Sequence, residues 1–221
     1  MRRMMATGGA VLALLFSAVF ISPAFAGTQI PGDDAPPPTD HIVIELITVN
    51  GSGCPAGTTA VAVAPDNTAF TVTYSAYLAQ VGVGAKPTDS RKNCQLNVLV
   101  HVPQGFTFAI AEADFRGFAS LAGGASATER ANYYFQGQPQ TTFASHPLSG
   151  PMEDDWQTSD TTDLAALVFS PCGMLRSLNV NTELRANVGT SNPKKTTSFI
   201  NTDSTDGSIK TVYHFHWKHC H

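Results

Sequence analysis

Three groups of residues in this chain carry side chains suited to chemistry. Glu112 and Asp114 lie two positions apart, about 7 Å along one face of an extended strand, and carboxylates near that spacing serve glycoside hydrolysis. Arg116 shares their expected face, where a guanidinium would hold both acids ionised and make them a neutralised strand end. Glu153, Asp154, Asp155, Asp160 and Asp163 place five acids within 11 residues around Trp156. Read as a loop, this stretch offers oxygen ligands for Ca²⁺. With Trp156, the acids Glu153, Asp154 and Asp155 would instead form a sugar-binding lip, and the plainest reading is a solvated loop. At the C-terminus, His214 and His216 alternate with Phe215 and Trp217, while His219 and His221 flank Cys220. Imidazoles at i and i+2 on an exposed strand face can chelate one ion, with His219 or His221 as a third ligand. Such nitrogen donors suit Zn²⁺, Cu²⁺ or Ni²⁺, copper binding most tightly. The competing reading is a polar face that keeps an edge strand soluble.

Other catalytic patterns are missing. No Gly-x-Ser-x-Gly elbow, His-Glu-x-x-His pair or phosphate-cradling glycine loop occurs. Ser191 and Lys194 match Ser-x-x-Lys, but Pro193 between them is incompatible with the helical turn that chemistry needs. His41, His101 and His146 stand alone in strand or loop contexts and read as ordinary surface or packing residues. All 17 acidic residues follow position 26, whereas Arg2 and Arg3 precede it, so an excess of six acids remains beyond that point. No basic stripe is left to track a phosphate backbone, which excludes nucleic acid as a partner.

The elements that must position these groups are strands. Residues 1–26 read as a signal peptide: Arg2 and Arg3, an apolar run from Ala10 to Ile21, then Ala24-Phe25-Ala26 for a peptidase. The run is shorter than the roughly 20 residues of a membrane span, so no transmembrane segment is expected in the mature protein. Secretion to the extracellular space follows, and with it an oxidising compartment for Cys54, Cys94, Cys172 and Cys220. Four cysteines allow three connectivities. The sequential one, Cys54–Cys94 with Cys172–Cys220, is preferred because it staples each half.

Residues 27–40 read as a Pro-rich acidic linker, and residues 41–221 as one domain. Ile42 to Val49 is β-branched, and Thr59–Ala64 and Thr68–Ser75 flank the turn Pro65-Asp66-Asn67. Leu96, Val98, Val100 and Val102 alternate with polar neighbours. Further strands are expected over 106–121, 132–136, 164–170, 175–184 and 208–217. About eight or nine strands with Gly or Pro at nearly every junction define an all-β, antiparallel two-sheet β-sandwich, stapled by disulfides.

Seven motifs occur in register along this frame: Gly51-Ser52-Gly53-Cys54-Pro55, Arg91-Lys92-Asn93-Cys94-Gln95, Phe115-Arg116-Gly117, Tyr133-Tyr134-Phe135, Ser170-Pro171-Cys172-Gly173, Leu178-Asn179-Val180-Asn181-Thr182 and an ending from Trp217 to Cys220. Together they resemble the secreted domain-of-unknown-function family number 4360, over roughly Ile42 to Cys220. The resemblance implies export, a single β-rich domain, cysteines in these places and no established activity or catalytic residue. Function is therefore expected to be a secreted, non-catalytic interaction module whose loops bind a partner, glycan or surface. The alternatives are an extracellular polysaccharide hydrolase using paired carboxylates, and a metal-binding protein using the C-terminal histidines.

Peptide mapping of the secreted protein without reduction is expected to find no free thiol and to recover the two sequential cystine peptides. A Cys54–Cys172 or Cys94–Cys220 peptide would overturn that pairing.

Overall fold

The computed structural model describes residues 34–139, 141–163, 166–202 and 210–220; the leader expected over 1–26 lies outside them. The strands in chain order are β1 (Asp34–Ala35), β2 (Val43–Asn50), β3 (Thr59–Val63), β4 (Ala69–Tyr74), β5 (Leu78–Gly82), β6 (Arg91–His101) and β7 (Phe106–Leu121). They continue as β8 (Ser126–Phe135), β9 (Thr142–Ser149), β10 (Met152–Thr161), β11 (Ser177–Asn187), β12 (Thr197–Asn201) and β13 (Thr211–His219), and all pair antiparallel. One sheet runs β3-β4-β13-β7-β12-β5, with β1 added to β13 and β10 to β7. The other runs β2-β6-β11-β8-β9.

Period-2 alternation explains why these segments become strands and which side each buries. In β6, Cys94, Leu96, Val98 and Val100 are buried while Asn93, Gln95 and Asn97 are not; β11 buries Leu178, Val180, Thr182 and Leu184 in the same rhythm. The inner faces meet in an aromatic layer. Phe108 of β7 packs edge-on to Phe135 of β8 at 5.3 Å, and Tyr213 of β13 to Tyr133 of β8 at 5.9 Å. Tyr77 reaches from one sheet to the other, its hydroxyl 3.0 Å from that of Thr182.

The alternation of β7 is broken in its middle. His214 opposes Glu112 but Phe215 opposes Ile110, so Ala111 is an extra residue, a β-bulge. A one-residue slip exchanges the two faces of a strand. Phe108 and Phe115 both point into the core although they are an odd number of positions apart, and Glu112, Asp114 and Arg116 all turn outward.

The residues expected to form an acidic loop form strand β10, paired with β7 from Met152↔Leu121 to Thr161↔Glu112. Trp156 is consequently buried in the core, and it lies against Gly117. The Pro-rich stretch before residue 41 is not a free linker in its described part. Asp34 and Ala35 pair with β13, and Asn67, held at φ 56°, donates its amide to the carbonyls of Pro38 and Asp40, both at 2.8 Å. Strands β5, β9, β10 and β12 lie where none was expected, and the described residues 166–170 of the expected 164–170 strand are not strand.

Both cystines join as preferred, Cys54–Cys94 with Cα atoms 5.4 Å apart and Cys172–Cys220 with 5.7 Å. Their loops of 40 and 48 residues each restrict the unfolded chain by about 4 kcal/mol in the entropy model.

Gly117 of β7 has no room for a side chain between β12 and β10. A Cβ there would stand 1.9 Å from the Asn201 carbonyl oxygen and 2.7 Å from the Trp156 ring. Gly117→Ala is expected to lower stability by about 1–3 kcal/mol through overpacking, read by urea unfolding. An unchanged midpoint would mean that the Asn201 backbone and the Trp156 ring both give way freely.

Candidate functional site

The outer face of the five-stranded sheet gathers the polar residues that alternation rejects from the core. Cross-strand register sets them in rows. Asn50 opposes Gln95, which opposes Asn181, which opposes Asn132, which opposes Phe143. Beside this row runs another, Thr48, Asn97, Asn179 and Tyr134. Neighbours within a row are about 4.8 Å apart, the strand spacing. The four amides of the first row therefore extend over roughly 14 Å.

Not every amide is committed internally. Asn97 donates to Asn179 at 2.9 Å, and Asn132 donates to Thr141 at 2.6 Å. Gln95 and Asn181 make no side-chain hydrogen bond among the described residues. Each amide offers two donors and an acceptor, and Phe143, 64% exposed, offers an apolar ring at the row's end. Arg91, Arg130 and Arg185 surround Glu183 one step along the same face: Arg91 forms a close ion pair, Arg185 lies at 3.1 Å and Arg130 at 4.0 Å. A hollow of about 240 Å³ lies between the amides and the arginines.

The groups singled out from the sequence are placed otherwise. Asp114 accepts a hydrogen bond from Ser159 and contacts His214 Nε2 at 3.1 Å. Burial acts to raise its pKa, but Ser159, His214 and Arg116 prevail and hold it below the usual carboxylate range. Glu112 faces outward beside it, across from His214. His216 pairs with Asp34 at 3.0 Å, and the His219 ring packs on Phe106 at 5.0 Å. The imidazoles of His214 and His216 are thus taken by carboxylates from β7 and β1 rather than turned toward a shared ion. His221 lies outside the described residues. Among the described residues, no three His, Cys, Asp or Glu side chains converge as a metal site would require. Glu153, Asp154 and Asp155 are exposed along β10, and Trp156, turned inward, is no lip.

Two histidines expected to stand alone have acidic partners. His101 lies 3.1 Å from Glu45. His146 of β9 hydrogen-bonds Asp160 of β10, and its Nε2 is 4.0 Å from a Glu129 oxygen. Tyr133 donates to the other Asp160 oxygen at 2.9 Å. Glu129 is the group the sequence reading missed, although Ala125, Ala127, Ala131, Tyr133 and Phe135 mark its face as internal. It is 1% exposed, and neither oxygen has a hydrogen-bond partner among the described residues. Burial, then the charge of Asp160, push its carboxyl well above the ordinary range.

A disulfide-stapled sandwich of two antiparallel sheets, one presenting an amide-rich outer face, is the class of protein these features define. The chain belongs to the family described as a domain of unknown function, DUF4360, whose family model matches residues 40–220. It is 36% identical over 189 residues, 86% of this chain and 76% of the relative, to an uncharacterized secreted protein of Arthroderma benhamiae. The chain is a secreted protein, and none of its described helices is long and apolar enough to cross a membrane. Among solved structures it is similar to TmCBM61 in complex with β-1,4-galactotriose, at 10% identity and TM-score 0.33 over 80% of this chain and 91% of that one. It is also similar to the enzymatically active domain of tailspike protein 4 of bacteriophage CBA120, at 14% identity and TM-score 0.24 over 78% and 19%. Neither likeness is close enough to say what this chain binds.

Glu129 makes stability depend on pH with a defined sign. A carboxyl whose folded pKa is raised binds its proton more tightly in the native state, so stability falls as pH rises above the unfolded value, about 4.3. Glu129→Gln is expected to match wild type near about pH 4 and to be the more stable by on the order of 1 kcal/mol at neutral pH. Thermal midpoints measured across that range check it, and a variant weaker than wild type at neutral pH would overturn it.

Proposed function

We propose that this secreted protein is a non-catalytic module that binds extracellular glycan on the outer face of its five-stranded sheet. The observation that carries the reading is the row Gln95, Asn181 and Asn132 ending at Phe143, with the first two amides making no side-chain hydrogen bond among the described residues. Adjacent sugar hydroxyls present paired donors and acceptors that a carboxamide matches, and the apolar face of a pyranose fits an exposed aromatic ring. The strand spacing of about 4.8 Å is close to the advance of one sugar ring along an extended chain. The other side of the sheet is the core, so packing behind the strands holds the outward side chains in their rows. A sheet rather than a set of loops is the binding element in this reading.

Binding is favoured over hydrolysis by where the acids lie. A general acid must come within hydrogen-bond reach of the bond it protonates. Glu129, whose carboxyl is pushed up, is sealed beneath the sheet, whereas Asp114, which is accessible, is held ionised by Ser159, His214 and Arg116.

A glycan array followed by affinity electrophoresis tests the reading. Retention of the wild type on at least one extended glycan is expected, weakened about tenfold by Phe143→Ala or by Asn181→Ala. No retention on any glycan would overturn it. Release of reducing sugar from a bound glycan would overturn its non-catalytic part.

A further inference from the structure

The three arginines beside the amide row carry the choice of ligand further. Of the five arginines beyond residue 26, Arg91, Arg130 and Arg185 stand on three adjacent strands, β6, β8 and β11, around the single carboxylate of Glu183. They do so in a chain with an excess of acids. Three guanidiniums against one carboxylate leave two positive charges uncompensated. Glu183 is 13% exposed, whereas the side chains of Arg91, Arg130 and Arg185 are 55%, 44% and 47% exposed. The acid is therefore the less exposed hub, and the cations point their unused donors to solvent. A guanidinium has five N–H donors in a planar fork, and one carboxylate cannot engage fifteen.

Register places this charge where a bound sugar would meet it. Asn93, Glu183 and Arg130 form a cross-strand row two residues along from Gln95, Asn181 and Asn132, a separation of about 7 Å. A sugar lying on the amide row can thus direct a ring substituent into the hollow whose wall includes Arg91 and Arg130. Planar forks match carboxylates bidentately. We propose that the face selects acidic glycans, polymers of uronic acid type, whose ring carboxylate occupies the place between Arg130 and Arg91 that Glu183 fills only from below. This rests on the glycan-binding reading above and adds to it the charge of the ligand.

Oligogalacturonate and its fully methyl-esterified form, titrated into the mature protein at low ionic strength, separate the two readings. The acid form is expected to bind about tenfold more tightly than the ester, the worth of one charge-assisted contact, and added salt should narrow the difference. Arg130→Gln and, independently, Arg91→Gln should each remove most of that preference. Glu183→Gln should strengthen acid binding several-fold, since it removes the internal competitor, whereas a merely structural Glu183 would weaken it on replacement. Equal affinity for acid and ester overturns the acidic selection and leaves glycan binding standing. Dextran sulfate binding as tightly as oligogalacturonate overturns the carboxylate assignment in favour of diffuse charge. No binding of either galacturonate, with retention of another glycan on the array, overturns this inference alone; silence on both overturns both.

Discussion

The register of the five-stranded sheet is the constraint on which the rest depends. Leu96, Val98, Leu178, Val180, Ala131 and Tyr133 are buried on one side of it, so a one-residue slip of any strand would carry its whole apolar set into water. With the inner side locked, the outer side has no freedom left. Gln95, Asn181, Asn132 and Phe143 line up because Leu96, Val180, Ala131 and their neighbours cannot move. A polar face of this kind needs no organisation of its own, because its precision is that of the core beneath it. Cys54–Cys94 pins the same register from one end, since Cys94 belongs to β6 itself.

The buried acid beneath that face is the exception to an otherwise conventional interior. Four tyrosines, Tyr74, Tyr77, Tyr133 and Tyr213, feel its field, and burial above all raises the pKa of each phenol. Ionising Glu129 among them would place charge in a region of low polarity. Burial and the charge of Asp160 favour its protonated form, and its carboxyl lies 4.0 Å from His146 Nε2, which in turn hydrogen-bonds Asp160 of β10. Removing a side chain from that contact changes how the two sheets meet, a role different in kind from that of an acid in an open cleft.

The fold class was legible because alternation is a local property. Leu96 to Val102 and Phe106 to Leu121 announce themselves as strands, and the paired segments around Asn67 announce a hairpin. The bulge at Ala111 was not legible: nothing local marks one residue as unpaired, and its cause is the pairing of β13 a hundred residues away. It puts Glu112 and Asp114, an even number of positions from Phe108, on the face opposite to that ring. Strand β10 was misread for a related reason. Its acids and threonines have loop-like composition, and only the pairing with β7 makes it a strand and turns Trp156 inward. The arginines around Glu183 come from Arg91, Arg130 and Arg185, which share no motif. Their meeting is a product of register alone, which no spacing along the chain discloses.

The pairing of β1 with β13 joins the two ends of the described chain. Asp34 meets His216 across 182 positions, and Cys220 closes its cystine only two residues beyond Lys218, the partner of Asp34. A polypeptide delivered across a membrane from its N-terminus presents β1 long before β13 exists on the same side. Asp34 and Ala35 have nothing to pair with until then, and β7 waits for the strand that fills its first half. Contacts of such sequence separation form slowly, so the larger sheet is completed only when the last strand has emerged. A chain stopped short of β13 would leave β4, β7 and β1 as open edges, the surfaces on which extended segments of other molecules add most readily. Completion of the larger sheet is in that sense all or nothing.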